Sequence, residues 1–186
     1  MSRTALLLID VQQSFTARPY WQADSARPFL THCNALIAGC EAAGLPIVRV
    51  LHTEGPDTPD NPFAPASGLV RPLDGLRPFQ PALTVHKQRH SALVGTLLPV
   101  WLREQHIGRL IVAGIRTEQC CETTTRHASD EGWTVDFCTE ATLTFDMTTP
   151  SGGRLDAAQI MERTATVLAG RFATLVTVPE ALARAE

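Results

Sequence analysis

The chain has 186 residues, of which 44% are hydrophobic and 19% charged, and its formal net charge is -3. This length suits one domain, residues 1–186, with a substantial core, and the composition is typical of a folded globular protein. The basic residues form no run or stripe, which argues against nucleic acid as a partner. The apolar stretches are too short for a membrane-spanning helix of ~20 residues or for a signal peptide. We therefore expect a protein that neither enters a membrane nor is secreted.

The cysteines are odd in number and irregularly spaced, which argues against a disulfide framework. They are Cys33, Cys40, Cys120, Cys121 and Cys138. No two of them form a CxxC pair, so a zinc ribbon or a thioredoxin-like site is not expected. These features favour a reducing cytoplasm as the location of the protein.

Predicted strands and helices alternate along the chain. In order, they are strand 4–9, helix 25–43, strand 46–52, strand 83–86, helix 95–105, strand 110–113, helix 118–131, strand 133–138, helix 155–168, strand 172–178 and helix 180–185. The first strand is wholly apolar, which is typical of a strand buried on both faces. Asp24 or Ser25 is a suitable cap for the first helix. Alternation of this kind predicts a three-layer, Rossmann-like α/β fold, with a six-stranded, mostly parallel sheet and helices on both faces.

The segment Thr53–Pro81 is rich in Pro, Gly and Asp and shows no clear periodicity. A loop of this length inside a compact domain is often functional, as a lid or a pocket wall. A simple surface excursion is the alternative interpretation.

Three chemically active residues lie at the ends of predicted strands or just beyond them. Asp10 ends the first strand, Lys87 follows the third, and Cys120 lies beyond the fourth, near the start of a helix. Open α/β sheets place their ligand crevices at the carboxyl ends of the strands, so we expect these side chains to meet. Thr117 is a plausible N-cap, which would put Cys120 in the first helical turn. A helix N-terminus and the Lys87 ammonium would then lower the pKa of the thiol.

A cysteine nucleophile needs a proton acceptor, and Asp10 can take the thiol proton and return it to a leaving amine. Because His52 and His86 also lie at strand ends, a Cys–His arrangement is an open alternative. Phe15, Trp21, His52 and Phe63 are weaker predictions for the walls of a substrate pocket, since each is equally compatible with plain packing.

Three pieces of the sequence form an ordered set of motifs. They are Leu7-Leu8-Ile9-Asp10-Val11-Gln12 with Phe15, Lys87 with Ser91-Ala92-Leu93 and Gly95-Thr96, and Gly114-Ile115-Arg116-Thr117-Glu118-Gln119-Cys120 with its continuation to Thr142. In these pieces the chain resembles the isochorismatase-like cysteine hydrolases, a family that includes nicotinamidases, carbamoylsarcosine amidohydrolases and ureidoacrylate hydrolases. The similarity covers about residues 4–142.

The resemblance implies a catalytic triad of Asp10, Lys87 and Cys120. It also implies a cis peptide bond between Ile115 and Arg116, and an oxyanion hole formed by the backbone N–H groups of Arg116 and Cys120. Family members are commonly dimers or tetramers, so a homodimer or homotetramer is expected.

Two departures from the family narrow the function. Nicotinamidases carry an Asp-x-His pair in a metal site, whereas this chain has Val50-Leu51-His52, so we expect no metal ion and no other cofactor. Isochorismatases that cleave a vinyl ether generally lack the cysteine, so Cys120 favours hydrolysis of an amide, carbamoyl or ureido C–N bond in a small molecule.

The alternatives are acid–base hydrolysis of an ether or ester by Asp10 and a non-catalytic metabolite binder. A redox sensor using Cys120 and Cys121 is disfavoured, because vicinal cysteines on a helix would form a strained bridge.

Overall fold

The computed structural model of the protein describes residues 3–185. The strands are β1 (Arg3–Ile9), β2 (Ile47–His52), β3 (Leu83–Lys87), β4 (Ile107–Ile115), β5 (Thr134–Leu143), β6 (Met147–Thr148), β7 (Arg154–Leu155) and β8 (Thr174–Val176). The α-helices are α1 (Ala23–Ala42), α2 (Leu98–Glu104), α3 (Glu122–Asp130), α4 (Ala157–Leu168) and α5 (Val178–Ala183). The alternation of strands and helices follows the order that the sequence predicts.

Six strands form one sheet in the order β3-β2-β1-β4-β5-β8, and each neighbouring pair is parallel. The chain winds outward from β1 to β2 and β3 on one side, and from β4 to β5 and β8 on the other. The winding direction therefore reverses between β1 and β4, and a ligand crevice is expected outside the carboxyl ends of these strands. The predicted α/β fold with a six-stranded sheet is confirmed, and the sheet is parallel throughout.

The sheet is covered on both faces, because side chains of β1 point alternately to two separate hydrophobic layers. Leu6 and Leu8 pack in the layer formed by α1 and α5, whereas Ala5, Leu7 and Ile9 pack in the layer with α2, α3 and α4. All five side chains are almost fully buried. This explains why the strand is apolar at every position instead of alternating.

Several boundaries differ from those predicted. Helix α1 begins at Ala23, ahead of the expected caps Asp24 and Ser25, and no side chain caps it. Helix α2 begins only at Leu98, because Gly95 has a φ of 68°, outside the helical region. The antiparallel hairpin of β6 and β7 was not predicted, since strands of two residues carry too little periodicity to detect.

The irregular segment 53–81 packs against the sheet edge. Its side chains Phe63 and Leu73 are buried in the same layer as α1. The Leu73 N–H donates to the Val11 carbonyl oxygen at 3.0 Å, which ties the segment to the chain just after β1. The segment thus forms a wall beside the carboxyl end of β1.

Candidate active site

Asp10 directly follows β1 at the carboxyl edge of the sheet. Its φ of 54° is left-handed, a conformation that Asp adopts more readily than most residues, and its N–H donates to the Val50 carbonyl oxygen at 2.9 Å. The adjacent β4 approaches so closely that a Cβ at Gly114 would overlap the carbonyl oxygen of Ile9. Only glycine fits there, and the close approach brings Asp10 beside the segment that carries Cys120.

Lys87 is the last residue of β3 and pairs in register with His52 of β2. Because β2 lies between β3 and β1, only a long side chain can extend from Lys87 to Asp10. The Lys87 Nζ lies 2.7 Å from Asp10 Oδ2 and 3.2 Å from Cys120 Sγ. It also lies 3.1 Å from His52 Nδ1 and 3.1 Å from the Arg89 carbonyl oxygen. The structure therefore brings the three residues singled out from the sequence into contact. The Lys87 side chain is buried there, and the residue is only 1% exposed.

Cys120 lies in a single π-helical turn, residues 117–121, between β4 and α3. The prediction of an ordinary α-helical start capped by Thr117 is wrong. Arg116 occupies the cap position, and the Thr117 hydroxyl instead donates to Thr142 Oγ1 at 2.9 Å. Insertions of this kind widen a helical turn and occur frequently at functional sites. Here the turn places the Cys120 side chain against Lys87.

The pKa of the Cys120 thiol moves in the direction opposite to the one predicted. Burial, and then the charge of Asp10, raise the pKa of Cys120 to about 12, while the Lys87 ammonium acts in the other direction. Sequence reasoning considered the cation and the helix start, but it could not include burial of the sulfur, which is only 6% exposed. The thiol is protonated at neutral pH, so a base must remove its proton before it can act as a nucleophile.

The Lys87 ammonium also fixes the state of His52. Burial disfavours the charged form of Lys87, but Asp10 and Cys120 outweigh it, so the pKa of Lys87 is raised. Burial and then Lys87 lower the pKa of His52, which is therefore neutral at pH 7. Since an ammonium can only donate, His52 Nδ1 accepts the hydrogen bond and the ring proton resides on Nε2. That nitrogen lies 3.3 Å from Glu54 Oε2.

A small pocket of about 80 Å³ opens above Asp10 and Cys120. Of the four residues predicted for its walls, Phe15, His52 and Phe63 line it. Trp21 does not, and its ring instead packs on Phe145, with the centroids 5.8 Å apart.

The pocket also contains two arginines, and each is paired with a glutamate. Arg18 Nη2 lies 3.3 Å from Glu54 Oε1, and Arg116 Nε lies 3.0 Å from Glu118 Oε1. The Arg116 guanidinium also lies over the ring of Tyr20, 5.3 Å from its centroid. The peptide bond that precedes Arg116 is cis. These pairs balance the charges on the pocket walls.

The sequence analysis assigned no role to five residues that line the pocket, namely Arg18, Tyr20, Glu54, His90 and Gln119. Of these, His90 lies beside the sulfur. Its Nδ1 lies 3.8 Å from Cys120 Sγ, and the side chain is exposed at the mouth of the pocket. Of the histidines considered from the sequence, His52 contacts Lys87, and His86 is exposed outside this pocket. Its place in the sequence could have pointed to it, because a residue three positions after Lys87 must still lie near the same edge of the sheet.

Within residues 3–185, no group of three or more His, Cys, Asp or Glu side chains is arranged to hold a metal ion. None of the helices in that part of the chain has both the length and the apolar character needed to cross a bilayer.

Comparison with known proteins agrees with this geometry. The chain is 31% identical to nicotinamidase 3 of Arabidopsis thaliana over 153 residues, 76% of this chain and 74% of the relative. An isochorismatase-family protein from Chromobacterium violaceum superposes with a TM-score of 0.88 at 26% identity, covering 98% of this chain and 93% of the other. A cysteine hydrolase from Pseudomonas syringae pv. phaseolicola superposes with a TM-score of 0.87 at 25% identity, covering 98% and 92%. The protein-family model named isochorismatase domain matches residues 4–170 of the chain. The chain therefore belongs to the isochorismatase family of hydrolases.

Proposed function

We propose that the protein is a cysteine hydrolase that cleaves the C–N bond of a small amide, carbamoyl or ureido compound through a thioester. The observation that carries this proposal is the contact of Lys87 Nζ with both Asp10 Oδ2, at 2.7 Å, and Cys120 Sγ, at 3.2 Å, at the floor of a pocket. An acceptor, a cation and a sulfur are the parts that thiol-dependent acyl transfer requires.

In the proposed reaction, Asp10 accepts the proton of the Cys120 thiol, and the thiolate attacks the substrate carbonyl carbon. Lys87 stabilises the negative charge while it passes from carboxylate to sulfur. The N–H groups of Arg116 and Cys120 stabilise the oxyanion of the tetrahedral intermediate. Asp10 then returns the proton to the leaving nitrogen, the C–N bond breaks, and water subsequently hydrolyses the thioester.

The substrate class is supported by two features of the pocket and by one relative. The pocket is small, at about 80 Å³, and aromatic side chains such as Phe15 and Phe63 form part of its wall, as in many sites for small molecules. Both pocket arginines are paired with glutamates, which suits a compact polar substrate better than a strongly charged one. The name of the Arabidopsis relative, nicotinamidase, identifies it as an enzyme that acts on an amide.

The reaction uses the chain's own thiol, carboxylate and ammonium, and it requires no cofactor. A reduced cysteine nucleophile suits a reducing cytoplasm. The assembly we propose is a homodimer or homotetramer, and Val94, Leu97 and Val100 expose apolar side chains beside the edge strand β3. A molar mass of one chain in light scattering would contradict this assembly.

The test is a Cys120→Ala variant assayed for ammonia release on a panel of small amides and ureido acids. We expect a folded protein with no turnover, whereas Cys121→Ala, its matched control, keeps turnover because the neighbouring sulfur is fully buried in the α3 layer. Mass spectrometry of acid-quenched wild-type enzyme should detect an acyl group on Cys120. Undiminished hydrolysis by Cys120→Ala would exclude the thioester and favour acid–base hydrolysis by Asp10 alone.

A further inference from the structure

His90 lies at the mouth of the pocket, and the reaction above leaves this proton-transfer group unused. Its ring contacts the sulfur of Cys120 directly, with Nδ1 3.8 Å from Sγ. The residue lies in the turn after β3, between Lys87 and Ser91, and its side chain is exposed to solvent. No other histidine ring within residues 3–185 forms a hydrogen bond with Cys120.

The thioester step requires a base that can hold a water molecule beside the thioester carbon. Asp10 is 0% exposed and its Oδ2 lies 2.7 Å from the Lys87 ammonium. His90 lines the same pocket but is exposed, so water that enters from solvent can reach its ring. The thioester carbon would be bonded to Cys120 Sγ, and His90 Nδ1 lies 3.8 Å from that sulfur. A single water molecule can therefore contact both the ring nitrogen and the thioester carbon.

We propose that His90 is a catalytic residue that activates the water which hydrolyses the thioester, while Asp10 serves the earlier attack of the thiol. This inference rests on the proposed function, and it divides that reaction between a buried base and a solvent-exposed one. Asp10 acts from the buried side and His90 acts from the solvent side.

The step balances as follows. The imidazole of His90 takes one proton from water as the water oxygen forms a bond with the thioester carbon. The tetrahedral intermediate then collapses and the C–S bond breaks, which releases the carboxylic or carbamic acid. The His90 imidazolium returns the proton to the departing sulfur, so Cys120 is again a thiol and His90 is again neutral.

The experiment uses p-nitrophenyl acetate, an activated ester that acetylates cysteine nucleophiles and releases coloured p-nitrophenol. Acetylation is followed by the pre-steady-state burst of p-nitrophenol, and hydrolysis is followed by the loss of the acetyl group from Cys120 in quenched samples analysed by mass spectrometry. The variants are His90→Gln and His90→Ala. The matched control is His86→Gln, since His86 is an exposed histidine of the same strand region outside the pocket.

We expect His90→Gln to slow the loss of the acetyl group about a hundredfold, within the usual range for general-base catalysis, and to leave the burst rate within about twofold of wild type. His86→Gln should behave as wild type. Added imidazole should restore hydrolysis in His90→Ala, because a free base can occupy the space left by the ring; a merely structural effect would not be rescued.

Two results would overturn the inference. Loss of the acetyl group at the wild-type rate in both His90 variants would show that another group activates water. An equal slowing of the burst and of the hydrolysis would place His90 in thiol activation instead. Failure of the proposed function has a different signature, because wild-type enzyme would then acquire no acetyl group on Cys120.

Discussion

Two fully buried aspartates lie on the same sheet and both contact cations, but Asp10 also faces a thiol, whereas Asp136 is held between two arginines. Asp136, near the amino end of β5, accepts hydrogen bonds on both oxygens, from Arg109 Nη1 at 2.9 Å and from Arg184 Nε at 3.1 Å. Asp10, at the carboxyl edge, contacts the Lys87 ammonium at 2.7 Å and lies beside the Cys120 thiol, whose pKa its charge raises. Both carboxylates are 0% exposed.

The difference separates a structural charge from a reactive one. The arginines that hold Asp136 extend to the surface, so the network joins β4, β5 and the end of α5 and needs no further partner. Asp10 instead shares the Lys87 ammonium with a protonated thiol, so it lies where it can take the proton of that thiol. Replacing each aspartate by asparagine should therefore affect different properties of the protein.

The largest effect is expected for Asp10→Asn. Turnover per folded molecule should fall about a thousandfold, because the amide cannot accept the thiol proton. The reactivity of Cys120 toward iodoacetamide should change in the opposite direction. The Asp10 charge raises the pKa of the thiol, so its removal lowers that pKa and shifts the alkylation profile to lower pH.

Alkylation of wild type and Asp10→Asn should be measured from pH 6 to 10, alongside circular dichroism to correct for the folded fraction. A faster alkylation at pH 8 together with the loss of turnover is the expected pair of results. If alkylation slowed as much as turnover, Asp10 would be holding the site together and not accepting a proton.

A smaller effect, on stability alone, is expected for Asp136→Asn. Loss of one partner of a buried ion pair costs about 3–5 kcal/mol, but Arg109 and Arg184 are 26% and 39% exposed and can regain water, so we expect about 2 kcal/mol. Turnover per folded molecule should remain near that of wild type. Urea unfolding gives the free energy of unfolding, and the matched control is Asp74→Asn, which breaks an exposed ion pair and should leave the free energy of unfolding almost unchanged. Loss of turnover in folded Asp136→Asn would contradict the separation of the two aspartates.

The sequence predicted much of the reactive site, because the topology of a parallel sheet determines where strand ends lie. Asp10 and Lys87 stand at strand ends, so any parallel sheet with β1, β2 and β3 as neighbours brings them to one edge. Cys120 was identified from its place after β4 and from the family resemblance. The expectation of a parallel sheet, which follows from the alternation of strands with helices, was therefore enough to predict that the three side chains meet at one edge, although it did not give the order of the strands.

The missing parts depend on tertiary structure. The pKa of Cys120 was predicted in the wrong direction because burial of the sulfur depends on packing from several elements. The π-helical turn changes the path of the chain by one residue and leaves no periodic signal in five residues. His90 was missed because its position depends on the conformation of the turn after β3, which strand patterns do not describe.

The smallest effect is expected at His52, whose ring accepts a hydrogen bond from the Lys87 ammonium at 3.1 Å. His52→Phe removes this acceptor and should lower kcat about tenfold, since a hydrogen bond to a charged group contributes about 1.5–3 kcal/mol. His52→Gln offers an amide oxygen in its place and should keep kcat within about threefold of wild type at pH 7.5.

The pH profile distinguishes this positioning role from simple packing. Lys87 faces His52 from β3, Asp10 faces it from the end of β1, and Glu54 faces it from beyond β2; burial and Lys87 prevail and lower the pKa of His52. The usual pKa of histidine is about 6.5, and because the pKa of His52 is lowered, its ring stays neutral at that pH. Only at lower pH would an imidazolium form, repel Lys87 and reduce kcat. His52→Gln cannot titrate, so it should lose a smaller fraction of its kcat between pH 7 and pH 5 than wild type does. If kcat fell by the same fraction in both proteins between pH 7 and pH 5, protonation of His52 would not be the cause of the loss, and this positioning role would be contradicted.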